Sequence, residues 1–223
     1  MTKAGGTDES QSAEKNPVPR MFDRIAFRYD RLNRILSIGL DQRWRRRVAR
    51  HLPDRPALRL LDLATGTADQ LLALMNDARV ERGVGMDLAE EMLVIGRAKL
   101  DRLGLQDRVT LETGDACAIP AADGAFDAVT ISFGIRNVPD VDLALRDMRR
   151  VLSDGGRALV LEFSLPEGRV LRGCHRFYLR HALPRIGGWV SGDRDAYRYL
   201  NQTIESFPYG EAFCALMRTA GFS

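Results

Sequence analysis

Apolar positions along this chain change period twice. From Met21 they recur at spacings of one, three and four, through Phe22, Ile25, Ala26 and Tyr29, which predicts an amphipathic helix. A second helix runs from about Asp41 to Leu52. Trp44, Val48 and Leu52 form one face, with Arg43, Arg46, Arg47 and Arg50 around it. Pro53 and Pro56 then break the chain. Beyond them short apolar runs alternate with helical patterns. Strands are predicted near 58–63, 82–87, 108–112, 126–132 and 157–163, and helices near 69–77, 89–103, 140–152 and 209–220. Ser153-Asp154-Gly155-Gly156 reads as a C-cap and turn before the fifth strand. Such alternation predicts an α/β fold, a Rossmann-like parallel sheet with helices on both faces and right-handed crossovers.

Two segments stand outside the alternation. Residues 1–19 are polar and rich in Gly, Ser, Thr, Lys, Glu and Pro, and read as a disordered tail. Residues 20–53 hold the two N-terminal helices, and 20–223 form one domain. Residues 165–208 carry Pro166, Pro184, Pro208, paired glycines at 187–188 and aromatics from Phe177 to Phe207. They read as an insertion of short helices that covers the strand ends.

Composition excludes several classes. At 223 residues the chain can build a sizeable core as one domain. Cys117, Cys174 and Cys214 make no C-x-x-C, and His51, His175 and His181 have no ligand spacing with them, so neither a zinc site nor a disulfide framework is expected. Together with the absence of an apolar run of membrane-spanning length or of a leader-type N-terminus, this points to a reducing cytoplasm. The net charge is only +3, yet residues 169–198 hold seven Arg and two Asp, +5 in all. With interleaved aromatics, that stretch fits a surface that meets anionic lipid headgroups and predicts peripheral membrane contact, with a solvated arginine face as the alternative. Arg43 to Arg50 carries the same ambiguity.

The chemistry concentrates at predicted strand ends, where open α/β sheets bind ligands. Leu60-Leu61-Asp62-Leu63-Ala64-Thr65-Gly66-Thr67-Ala68-Asp69 is an apolar run, a glycine turn and a helix start. Val84-Gly85-Met86 follows and ends in Asp87, 21 positions after Gly66. That is the layout of a nucleotide-binding βαβ unit, with Asp87 placed to accept from ribose hydroxyls. Gly66 is the only glycine of the turn, so the three-glycine pyrophosphate cradle is absent, as is a Walker motif. A nucleoside cofactor without phosphates fits better, and S-adenosylmethionine is the common one.

Asp115, after Gly114, can accept from an adenine amino group or merely shape a turn. The fourth strand ends in Ser132-Phe133-Gly134-Ile135-Arg136-Asn137, and Arg136 suggests polar work near the ligand or a salt bridge to an acid such as Asp140. Glu162, inside the apolar run Ala158–Phe163, is a candidate buried acid or the partner of an arginine.

Several of these pieces carry a resemblance. They are Met21-Phe22-Asp23-x-Ile25-Ala26-x-x-Tyr29-Asp30, Asn33, Leu36-Ser37, Trp44-Arg45, Leu61-Asp62-Leu63-Ala64-Thr65-Gly66-Thr67, Gly114-Asp115-Ala116, Phe133-Gly134-Ile135-Arg136-Asn137, Leu161-Glu162-Phe163-Ser164-x-Pro166 and Tyr197-x-Tyr199-Leu200. Together they resemble the ubiquinone/menaquinone biosynthesis C-methyltransferase family, from about residue 20 to the end. The resemblance implies a class I methyltransferase fold and S-adenosylmethionine as cofactor. It implies C-methylation of a prenylated quinol, benzoquinol or demethylmenaquinol. In this reading Gly66 belongs to the cofactor turn, Thr67 lines the methionine side, Asp87 takes the ribose, Asp115 and Ala116 meet adenine, and Ser132 sits beside the cofactor. Arg136 and Asn137 are the catalytic candidates: a fixed cation to stabilise a phenolate or orient a water, and an amide to hold the ring oxygen. His175 and Tyr178 are other candidates for the base.

Two departures from the family's pattern stand out. Ala68 occupies a position where glycine is usual, and its methyl would crowd the cofactor unless the turn has negative φ. The chain stops at Gly221-Phe222-Ser223, where the fold would continue into a closing strand pair, so five strands with an exposed edge are expected. Two rival readings remain. A nucleic-acid methyltransferase would share the basic surface, but no N-P-P-[YF] motif or Pro-Cys pair is present, so no nucleic-acid partner is expected. The other rival is a cofactor-binding protein without catalysis. The oligomeric state stays open, with a homodimer as one option.

Overall fold

The computed structural model describes residues 17–37, 39–164 and 202–223, together with 168, 173, 177 and 199. Two helices come first, α1 (Pro17–Leu36) and α2 (Leu40–Val48). Then strands and helices alternate as β1 (Leu58–Leu63), α3 (Asp69–Met75), β2 (Val80–Asp87), α4 (Glu90–Leu103), β3 (Val109–Thr113), β4 (Phe126–Ser132), α5 (Val141–Val151) and β5 (Leu152–Leu161). Helix α6 (Glu211–Thr219) lies near the C-terminus. The five strands form one sheet in the order β3-β2-β1-β4-β5, and every neighbouring pair is parallel.

Alternation along β1 explains the layering. Leu61 and Leu63 enter one core with Leu145 and Met148 of α5, against which Phe213 and Met217 of α6 also pack. Leu58 and Leu60 point the other way, into a core with Leu71 and Leu74 of α3 and Leu93 and Leu100 of α4. Successive side chains of a strand face opposite sides, so both faces of the sheet are covered. Strand β4 is buried at every position, as a central parallel strand must be.

Two boundaries differ from expectation. Helix α1 begins at Pro17, inside the stretch read as a tail. Proline is tolerated in a helix's first turn because the missing N–H has no intrahelical partner there. Residues 1–16 lie outside the described residues, as does most of the 165–208 insertion. Strand β5 begins at Leu152 and contains the predicted turn. Phe126 pairs with Leu152 but Ala128 with Arg157, so Ser153–Gly156 fall in a break of register, with Gly155 at φ 69°.

Candidate active site

Neighbouring strands β1 and β4 lead to helices on opposite faces of the sheet, so their carboxyl ends open a crevice at the switch in strand order. The backbone there is left-handed at three residues that are not glycine: Ala64 (φ 47°), Ala68 (φ 65°) and Phe133 (φ 60°). Such positions cost of order 1–3 kcal/mol each and cluster at functional sites. Gly134 follows Phe133 and packs against Ala64 so closely that a Cβ at 134 would overlap the Ala64 methyl.

The pocket at this crevice is lined by Gly66, Asp87, Asp115, Ala116, Ser132 and Asn137 among others. These six predicted residues therefore meet in one place. Val18, Pro19, Phe22 and Tyr29 of α1 form an opposing wall. Among the described residues that line it there are acids, Asp87 and Asp115, but no lysine or arginine. A ligand rich in hydroxyl and amine donors fits such a lining, and a phosphate does not.

Asp87 organises the floor. Its Oδ2 accepts from the Gly66 N–H at 2.7 Å and its Oδ1 from the Ala89 N–H at 2.9 Å. Burial pushes its carboxyl up, and those backbone bonds oppose the shift. Each oxygen still has a lone pair to offer a ribose hydroxyl. Asp115 Oδ1 accepts from the Cys117 N–H at 2.9 Å, which fixes the turn that carries Ala116 to the pocket. The Ser132 hydroxyl donates to buried Gln70 Oε1 at 3.0 Å, and Gln70 Nε2 donates to the Arg45 carbonyl at 3.3 Å. Ser132 is thus tied through α3 to α2.

Asp62 lies beneath the turn. Two positions after Leu60, it shares that residue's face of β1, so it faces a core layer and is almost wholly buried. Thr65 Oγ1 and Thr130 Oγ1 donate to its two oxygens at 2.7 and 2.5 Å. Burial pushes its pKa up to about 6, against the pull of those two hydroxyls and of Arg45.

Thr67 is not among the pocket-lining residues. Its hydroxyl donates to Asp30 Oδ1 of α1 at 2.6 Å and accepts from Lys99 Nζ at 2.9 Å. Lys99 also pairs with Asp30 at 2.6 Å and Asp69 at 2.5 Å. One ammonium therefore joins α1, the cofactor turn, the start of α3 and α4. Helix α4 comes this close because Gly96, one turn before Lys99, lies against Thr67 and Ala68. Ala68 does not crowd the pocket, despite its positive φ. Its methyl is fully buried in the core with Leu71 and Leu93.

Arg136 also stands outside the pocket lining. It pairs with Glu162 at 2.5 Å and not with Asp140, and the two side chains are 4% and 11% exposed. Asp140 instead caps α5 by accepting from the Leu143 N–H. The Arg136 guanidinium lies 5.4 Å from the Phe163 ring centre. Phe163 stacks on Phe133 at 4.6 Å, and Arg45 covers Phe133 at 5.2 Å. Trp44 leans on Phe133 as well. Burial pushes the Glu162 carboxyl up although Arg136 pulls it down, and its Oε2 has no hydrogen-bond partner among the described residues. Asn137, next to Arg136, accepts from the Tyr199 hydroxyl at 3.3 Å.

Sequence reading assigned no role to Asp30, Gln70 or Lys99. Asp30 sat in a motif without an assigned contact, and the other two look like ordinary helix-surface residues. The glycine one turn before Lys99 is the only local signal of its approach to the turn.

Known proteins place the chain in a family and a fold class. The model of the ubiE/COQ5 methyltransferase family matches residues 9–223. A demethylmenaquinone methyltransferase of Thermus thermophilus is 49% identical over 91% of this chain and 91% of its own length. A ubiquinone/menaquinone biosynthesis C-methyltransferase of Syntrophotalea carbinolica is 46% identical over 91% of this chain and 84% of its own. Among solved structures, a SAM-dependent methyltransferase of Thermotoga maritima superposes with a TM-score of 0.63 at 21% identity, covering 92% of this chain and 81% of that one. At that identity it speaks for the fold alone.

Proposed function

We infer the reaction from kinship and site together: the chain belongs to the ubiE/COQ5 methyltransferase family, and it is an S-adenosylmethionine-dependent C-methyltransferase of quinone biosynthesis. The observation that carries the cofactor reading is the pocket lining, two acids beside a one-glycine turn with no basic residue among the described residues. Relatives named as quinone-pathway methyltransferases favour neither a nucleic-acid substrate nor a protein without catalysis.

We assign the residues as follows. Asp87 holds the ribose hydroxyls while it fixes the Gly66 turn. Asp115 and the backbone at Ala116 meet adenine. Ser132, locked by Gln70, borders the cofactor at the end of β4. Thr67 serves from behind, as the link between the turn and the Asp30–Lys99 pair. Held there, S-adenosylmethionine would supply a sulfonium methyl to a ring carbon in line, the S–CH3 bond breaking as the C–CH3 bond forms and S-adenosylhomocysteine leaving. The residues must align that carbon and keep water out.

The acceptor carbon is nucleophilic only once a neighbouring hydroxyl sheds its proton, so the substrate is the reduced quinol. Arg136 is permanently cationic and stabilises the developing phenolate, while the Asn137 amide orients the ring oxygen. Burial keeps the Tyr199 hydroxyl protonated by raising its pKa, so it serves as a donor that positions Asn137. Phe133 and Phe163 offer apolar walls to the ring. The substrate is a prenylated demethylmenaquinol or methoxy-benzoquinol, which its tail keeps at a bilayer. Peripheral contact with that bilayer follows, and no helix among the described residues is long and apolar enough to cross a membrane. The basic stretch 169–198, expected to make that contact, lies outside the described residues except for Gly173 and Phe177. A homodimer is the assembly to look for.

The test is calorimetric titration with S-adenosylhomocysteine, followed by turnover of a short-chain demethylmenaquinol. Micromolar binding that is lost in Asp87→Ala, with turnover in the wild type, supports the reading. Binding without turnover of that quinol, or of a short-chain methoxy-benzoquinol assayed beside it, would refute it.

A further inference from the structure

We propose that the outer face of α1 is a docking surface for anionic lipid, which sets the pocket's α1 wall at the bilayer surface. The proposal deepens the peripheral-membrane reading above and moves the contact to a different part of the chain.

Helix α1 is two-sided. Its inner face, through Val18, Phe22 and Tyr29, lines the pocket, and Ile25 and Ala26 are buried. Its outer face carries Arg20, Arg24, Phe27 and Arg31, all exposed. At about 100° per residue these four fall within an arc of about 60°. Phe27 is 89% exposed, the most exposed of the large apolar side chains among the described residues. A bare phenyl ring set among arginines is what an interfacial helix presents to headgroups: charge for attraction, an aromatic ring for insertion.

The charge is segregated as well as dense. Residues 17–52 contain ten Arg and three Asp, +7, so the rest of a +3 chain carries −4. All three acids are engaged within the fold. Asp23 accepts from the Glu91 N–H, Asp30 binds Thr67 and Lys99, and Asp41 is buried against Ser37. Among the described residues none of these three acids pairs with Arg20 or Arg31. Helix α2 packs against α1 and adds exposed Arg43, Arg46 and Arg47, with Leu40 also exposed, and the turn after it adds exposed Arg50. Anionic headgroups are the complement of such a surface. A single-stranded nucleic acid could stack on the same ring, but relatives named for quinone biosynthesis favour a lipid surface.

The experiment is flotation of the full chain with vesicles of phosphatidylcholine alone or with a third phosphatidylglycerol. Phe27→Ser and Arg20→Gln/Arg31→Gln are compared with the wild type. Neither variant touches the pocket, so S-adenosylhomocysteine affinity reports folding. Expected are binding to anionic vesicles only, weakening as salt rises, and about fivefold loss for each arginine removed. Phe27→Ser should lose a comparable factor at unchanged net charge, with cofactor affinity unaltered. Wild-type binding that neither variant weakens would overturn the α1 surface and leave the basic stretch 169–198 in its place. No binding at all would overturn both membrane readings without touching the methyltransferase assignment. RNA that displaces the vesicles and binds Phe27→Ser as tightly as wild type would assign the surface to nucleic acid and overturn the proposal.

Discussion

The guanidinium of Arg136 and the carboxylate of Glu162 sit 2.5 Å apart with almost no water around them. Removing one partner leaves the other charge stranded. Glu162→Gln is expected to destabilise the protein by about 3 kcal/mol, read from urea unfolding. Arg136→Met combined with Glu162→Gln should cost less than the sum of the single changes. Because neither residue lines the cofactor pocket, S-adenosylhomocysteine affinity should hold in any variant that stays folded, while turnover falls about a hundredfold. Loss of cofactor binding in step with turnover would refute the assignment to the substrate side.

Asp62 makes stability depend on pH in an uncommon direction. Its carboxyl ionises near 3.8 when unfolded and near 6 when folded. Between those values the folded protein keeps a proton that the unfolded chain has lost, so this contribution is full below pH 3.8 and fades as pH rises through 6. Asp62→Asn keeps the shape and drops the titration. Relative to wild type it should gain up to about 3 kcal/mol between pH 4 and pH 7. A difference that stays flat with pH would show that Asp62 is ionised in the fold.

Lys99 is the knot between α1 and the cofactor turn. Lys99→Met leaves Asp30 and Asp69 without their shared cation. S-adenosylhomocysteine affinity is expected to fall about tenfold, or 1.4 kcal/mol, while kcat at saturating cofactor barely moves. A drop in kcat with unchanged affinity would assign Lys99 to the chemistry instead.

Gly134→Ala tests the approach of the β1 and β4 ends. The new methyl meets Ala64 across the crevice, and separation of the strand ends should cost about 1–3 kcal/mol and remove cofactor binding. Ala68→Gly is the contrasting case. It relieves a left-handed alanine but deletes a buried methyl, so stability should stay within about 1 kcal/mol and affinity should be unchanged.

Much of the frame could be read from sequence because its signals are local. The β1 run, Gly66 and Asp87 lie within one βαβ unit, and their spacing is set by that unit's geometry. Strand β4 could be read from Phe126, Ala128, Val129 and Ile131, although Asp127, Thr130 and Ser132 interrupt them. The partners of the polar groups could not be read in the same way. Arg136 and Glu162 are 26 positions apart and meet only because β4 and β5 are neighbours. Lys99 reaches back 32 positions to Thr67, and Gln70 reaches 62 positions forward to Ser132. On a helix, a lysine bound for the interior looks the same as one bound for water. The sign of φ at Ala68 was equally hidden, since alanine gives no hint of a left-handed turn.

One wall of the pocket belongs to α1, and α1 is held differently from the rest. Among the described residues its apolar contacts include a small cluster around Ala26, Ala89 and Met92, supplemented by the Asp30–Lys99 pair, whereas the floor is the fully buried sheet. Local opening draws on the weakest attachments first. The cofactor site can therefore come apart while the sheet stays intact. In hydrogen exchange the amides of α1 would be labelled well before those of β1 and β4, and a bound cofactor would slow the helix far more than the strands.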